Sequence, residues 1–174
     1  MASIGHVAVG LAAARLFVNR PGRRGELPAA MVAFTALSLL PDADVVAFWL
    51  RIPYSAPFGH RGASHSFVAA AAVGLLAGLA ARPLGQRFLR TALFSAAVVA
   101  SHGLLDTLTD GGLGIALLWP FSNERFFAPW RPIPVAPIGM GFLSERGMRV
   151  AMAELVYSIP LAIYAFWPRR AGSV

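Results

Sequence analysis

Apolar residues dominate five stretches of this chain, residues 4–18, 27–40, 67–81, 88–105 and 151–167, separated by short segments rich in arginine, proline and glycine. Runs of this length read as helices rather than strands. The second run is interrupted by Pro41-Asp42-Ala43-Asp44 and resumes over 45–50. Residues 20–25 combine charge with turn-forming residues, and 51–62 carry prolines at 53 and 57 and glycines at 59 and 62, so both read as loops. A longer Gly- and Pro-rich segment, 107–150, holds a short apolar piece at 111–119 and the aromatics Trp119, Phe121, Phe126, Phe127 and Trp130. The pattern predicts an all-α bundle of four to five apolar helices in one domain spanning residues 1–174, with no internal repeat.

Composition selects the solvent. Hydrophobic residues make up 57% of the chain and charged ones 13%, and the mean hydropathy is +0.63, a membrane-protein profile. Crossing the hydrocarbon takes about 20 residues, and several runs are shorter. A compact soluble helical protein with the same polar constellation is therefore the competing architecture. Cysteine is absent, which excludes a disulfide framework, a thiolate metal site and a cysteine nucleophile. Any metal must be held by nitrogen and oxygen.

A net charge of +7 raises the question of nucleic acid, but all fifteen basic residues are arginine and no basic and aromatic stripe or recognition motif accompanies them. No nucleic-acid partner is expected. The arginines gather at run ends instead: Arg15, Arg20, Arg23 and Arg24; Arg82, Arg87 and Arg90; Arg169 and Arg170. Basic loops of this kind stay cytoplasmic. No basic residue precedes the first run, so it reads as a retained helix with its start outside rather than as a signal peptide.

Alternation of five crossings then puts the three arginine clusters on one side and the remaining ends on the other. Those remaining ends carry His6, Asp42 and Asp44, His60 and His65, His102 and Asp106, and Glu154. All four histidines and every acidic residue except Glu26 fall on the outer side. His102 and Asp106 are four apart at the end of a run, so they share a helix face and form a platform for a divalent cation, which would offset the cost of burying a carboxylate. Asp42 directly follows the break at Pro41 and is the favoured ligand of its pair. Asp44 reads as a second ligand or a carboxylate that orients a histidine. Of His60 and His65, one reads as a ligand and the other as a general acid or phosphate contact. His6 stands among small residues as a further candidate ligand. Glu154, at the start of the last run, is also explained by the helix dipole.

Taken in order, His6, Leu-Pro-Asp-Ala-Asp at 40–44, His-Arg-Gly-Ala-Ser-His-Ser at 60–66, Ser-His-Gly-Leu-Leu-Asp at 101–106 and Leu-Leu-Trp-Pro-Phe-Ser at 117–122 resemble the YdjM-like family, described as inner-membrane metal-dependent hydrolases and also labelled LexA-binding. The order is also similar to that of zinc-dependent phospholipase C, an all-helical fold. That likeness implies His6, Asp42 or Asp44, His60 or His65, His102 and Asp106 at metal positions. No histidine follows His102, which departs from the phospholipases and implies one or two metals rather than three.

The expected chemistry is hydrolysis of a phosphoester, a small molecule or a lipid head group, by a metal-activated water, with zinc implied by the phospholipase likeness. Its residues are His6, Asp42, His65, His102 and Asp106 as ligands and His60, His65 and Asp44 as acid–base or orienting groups. Arg61, Arg125 and Arg131 are expected either to hold a phosphate or to anchor at the interface beside the aromatics. The expected location is the inner membrane, multi-pass, with the site extracytoplasmic and membrane lipid as a partner. A non-catalytic metal-binding protein, a transporter and a regulatory membrane partner are the alternatives.

Overall fold

The structure, a computed structural model, describes residues 3–19, 25–137 and 139–168. Among them there is no β-strand. Five long helices, α1 (Ser3–Phe17), α2 (Glu26–Leu39), α4 (Phe67–Ala81), α5 (Phe88–Asp106) and α6 (Glu145–Phe166), are joined by one short turn of helix, α3 (Val46–Trp49). The all-helical expectation holds. Four stretches, Glu26–Trp49, Phe67–Leu84, Phe88–Asp106 and Glu145–Phe166, are long and apolar enough to cross a membrane. The fifth helix, α1, rises only about 22 Å over its length. It is enclosed by α2, α5 and α6, with Ala8, Ala12 and Ala14 buried, so its length need not match a bilayer by itself.

Small residues set the packing distances. A Cβ on Gly74 would lie 2.6 Å from both the Ala92 carbonyl oxygen and the Ala96 Cβ, so only glycine lets α4 and α5 approach this closely. The main apolar cluster sits near the opposite end of the bundle from the histidines, with Phe17, Phe34 and Phe94 in edge-on and tilted ring contacts beside Ala14, Val18 and Val98.

Helix directions alternate as the charge pattern implies. Arg15 Nη1 donates to the Ala165 carbonyl at 3.3 Å and Arg90 Nη2 donates to the Phe17 carbonyl, which brings the end of α1, the start of α5 and the end of α6 together. Arg20, Arg23, Arg24, Arg169 and Arg170 lie outside the described residues. Farther along, the Gly5 N–H donates to Glu154 Oε2 at 3.3 Å, so α1 and α6 run parallel and in step.

One boundary differs from the sequence reading. The last helix begins at Glu145 rather than 151, because Ser144 caps it by accepting from the Gly147 N–H at 3.3 Å and its first two turns are polar helix. It projects about 13 Å past the level of Gly5. Glu154 is therefore not a residue that opens a helix: it lies in mid-helix, 1% exposed, level with the start of α1.

Loops 50–66 and 107–137 form a crown over the other end of the bundle. Single bridges pair Thr109 with Ile133 and Ile115 with Phe126. The Arg125 guanidinium staples the crown by donating to the carbonyls of Tyr54 (3.0 Å), Ala56 (3.2 Å), His60 (3.2 Å), Arg61 (3.3 Å) and Gly114 (3.4 Å).

Candidate metal centre

Under the crown, four elements deliver polar side chains to one place. Pro41 ends α2 by starting a tighter turn, Leu40–Val45, that swings Asp42 and Asp44 toward the bundle axis. His65 comes from the short turn Ala63–His65, seated directly on α5: a Cβ on Gly103 would lie 2.5 Å from the His65 carbonyl oxygen. His102 and Asp106 project from one face of α5 and His6 from α1, and all three are 0% exposed. Donor atoms of Asp42, His65, His102 and Asp106 all lie within 4.8 Å of one another, and a second, overlapping group joins Asp42, Asp44 and His60.

Hydrogen bonds at the outer edges of the two central rings fix which atoms face inward. His102 Nδ1 lies 2.7 Å from the Ser38 carbonyl oxygen, an acceptor, so that nitrogen carries the proton and Nε2 turns its lone pair to the cluster. Ser64 Oγ donates to Asp44 Oδ2 at 2.5 Å and therefore accepts from His65 Nδ1 at 2.9 Å, while Asp44 Oδ2 is itself 3.2 Å from that nitrogen. This assigns the His65 proton to Nδ1 in the neutral ring. The two Nε2 atoms then face each other at 3.1 Å, with Asp42 Oδ1 3.3 Å from one and 3.6 Å from the other. Asp106 Oδ2 completes the group 3.9 Å from His65 Nε2.

Two facing lone pairs and two carboxylates favour a cation among them beyond the Arg61 guanidinium on Asp106, either a proton or a metal ion. The closest of these separations, 3.1–3.6 Å, suit a metal. Zinc–nitrogen bonds of about 2.0–2.1 Å make the edges of a tetrahedron about 3.3 Å long. Histidine ligands that pass their outer N–H to a carbonyl or a carboxylate are the usual companions of such an ion. In the cation-free protein, burial works to lower the His65 pKa, but the hydrogen bonds to Asp42 and Asp44 outweigh it and leave the ring more basic than an ordinary histidine.

The remaining candidates take different places. The His6 ring stacks on His102, centroids 3.6 Å apart and planes 11° apart, and its Nε2 is 3.3 Å from Asp106 Oδ1, on the far side of that carboxylate from His65. His60 Nδ1 is 2.6 Å from Asp44 Oδ1, and its ring rests among Phe48, Tyr54 and His65. Asp44 is enclosed by His60, Ser64, His65 and the Arg61 N–H at 3.0 Å, an arrangement that holds both histidine rings in place. Glu154 reaches the start of α1, one residue from His6.

The expectation that Arg61 and Arg125 hold a phosphate gives way to a different arrangement. Arg61 is buried, in a left-handed turn (φ 61°), with Nε 3.2 Å from Asp106 Oδ2 and Nη1 on Thr109 Oγ1 and the Gly111 carbonyl. Arg125 is committed to the crown carbonyls. Arg131 is exposed and lies over the Phe127 ring at 4.9 Å. Sequence reasoning missed the Ser38 carbonyl, the Ser64 bridge and the internal role of Arg61. Ser64 stands inside the His-Arg-Gly-Ala-Ser-His-Ser block and was open to notice, whereas a backbone carbonyl leaves no sign in a sequence.

Comparison with known proteins bears on the setting of this site. The model of a family described as YdjM inner membrane protein matches residues 1–171. The chain is similar to Inner membrane protein YbcI of Escherichia coli (strain K12), with 41% identity over 153 residues, covering 82% of this chain and 86% of that protein. No solved structure matches, so the phospholipase C likeness rests on the order of motifs alone.

Proposed function

Because the chain belongs to the YdjM inner membrane protein family, we propose that it is a multi-pass membrane hydrolase holding one divalent cation, zinc, between Asp42, His65, His102 and Asp106, and that its substrate is a phosphoester at the membrane surface. The observation that carries this reading is the pair of inward Nε2 atoms 3.1 Å apart, each on a ring whose outer nitrogen is tied down. Mixed imidazole and carboxylate donors suit zinc, and the Arg61 guanidinium on Asp106 Oδ2 supplies a second positive charge that favours one ion over two. A cation held there would supply a water of lowered pKa if Asp42, the one partly exposed donor, gave up its place to that water, and would polarise the phosphoryl oxygen.

The chain's own residues do the rest. Asp42, its side chain 25% exposed, is the donor that reaches the surface and marks the approach to the site. Asp44 Oδ1 takes the Nδ1–H of His60, so that in the doubly protonated ring the Nε2–H is the group that would give a proton to the leaving oxygen. Exposed Phe58, Phe121 and Trp130 on the crown suit the head-group layer, which makes a lipid head group the favoured substrate. The arginine-rich ends, of the kind kept cytoplasmic, support a site on the extracytoplasmic side.

The test is an assay of detergent-purified protein on phosphomonoester and phosphodiester lipids, with and without a chelator. Turnover that a chelator abolishes, that His102→Ala removes, and that His60→Gln lowers by about 10²–10⁴-fold with metal retained is the expected result. Burial of three of the four donors favours a second reading, a structural or storage metal site. Bound zinc with no turnover of either substrate would select it.

A further inference from the structure

At the arginine-rich end, opposite the histidines, α2 and α4 make little contact with each other, and an apolar cavity between them adjoins a polar one. The apolar cavity, about 450 Å³, is lined by Ala29, Ala33, Phe34 and Leu37 on α2 and by Ala77 and Ala80 on α4. Its floor is α5, where Thr91 and Ser95 stand four residues apart. Both hydroxyls are buried and make no hydrogen bond within the described protein. Phe17, Val18, Glu26 and Gln86 are shared with an adjoining polar chamber of about 340 Å³, whose remaining walls are Asn19 and Arg90.

We propose that this cavity binds one glycerophospholipid from the cytoplasmic leaflet, with its phosphate at Arg90 in the polar chamber and one acyl chain in the alanine-lined groove. Arg90 has one N–H on the Phe17 carbonyl and its guanidinium 4.6 Å above the Phe17 ring, which fixes the cation at the chamber wall. Exposed Arg82 and Arg87 at the same end add positive charge, and Glu26 opposes only part of it, so an anionic phosphodiester is the complementary head group. Along α5, Thr91 follows Arg90 directly and Ser95 lies about 6 Å deeper. Those hydroxyls stand at the depth where the glycerol esters pass between phosphate and chain.

The experiment is native mass spectrometry of the full chain in detergent, titrated with dioleoylphosphatidylglycerol or with dioleoylglycerol, which lacks the phosphate. Wild type is expected to retain one phosphatidylglycerol per chain and to release dioleoylglycerol. Ala33→Phe and Ala80→Phe, which fill the groove from opposite walls, should abolish retention, and Arg90→Gln should weaken it by about tenfold or more. Unchanged elution and metal content show that each variant is folded, and because the metal site lies at the far end, the outcome is independent of the hydrolase reading. Equal retention of the two lipids, retention unchanged in both phenylalanine variants, or a dimer that those variants dissociate would overturn the proposal, the last by making the occupant a second copy.

Discussion

Asp44 is hydrogen-bonded to the outer nitrogens of two histidines and lies outside the group formed by Asp42, His65, His102 and Asp106, so its substitution separates binding from positioning. Asp44→Asn is expected to lower zinc affinity by about 10–100-fold without abolishing it, measured by competition with a chelator. A loss as complete as that of His102→Ala would make Asp44 a ligand. The raised His65 pKa gives a second prediction. In the cation-free protein the protonated ring, paired with Asp42 and Asp44, adds stability that is fully present below about pH 6.5 and is lost as pH rises through the higher folded value. Zinc needs the neutral ring and behaves oppositely. The gap in melting temperature between zinc-loaded and chelated protein should therefore widen with rising pH, and a gap independent of pH would remove His65 from the ligands. At this scale the sequence was informative where spacing fixes direction: His102 and Asp106, four apart on one helix, share a face whatever surrounds them. It could not divide Asp42 from Asp44, or His60 from His65, because those pairs sit in tight turns whose side-chain directions are set by contacts with other elements.

Gly103 is where α5 and the histidine loop meet, and the element scale is best tested there. Gly103→Val should lift the 60–66 loop from α5, with a cost of about 1–3 kcal/mol for the overpacking, so that bound zinc is lost while helix content by circular dichroism is kept. Zinc retained at wild-type affinity would mean that the loop does not depend on this contact. Run lengths made the helices themselves legible: the apolar stretch 67–81 and α4 coincide, and the run from 88 ends one residue before α5 does. The first turns of α6 were hidden because Glu145, Arg146 and Arg149 are exposed and charged, and a solvated helix end has the composition of a loop. That hidden length is what moves Glu154 from a helix start to mid-helix.

For the molecule as a whole, the alternation of the helices was readable because run length is a local property, while the crown was not, since Arg125 closes it through backbone carbonyls far apart in the chain. Absence of cysteine makes the orientation directly testable. Ser55→Cys on the crown should react with a membrane-impermeant maleimide in intact cells, and Leu84→Cys at the arginine-rich end only after permeabilisation; the reverse pattern would turn the site to the cytoplasm. The central claim, that donors from separate helices share one cation, is tested most directly by metal analysis of the purified protein beside His102→Ala and Asp106→Ala. About one zinc per chain in wild type and none in either variant is the predicted result. Metal absent from wild type, or unchanged in both variants, would contradict it.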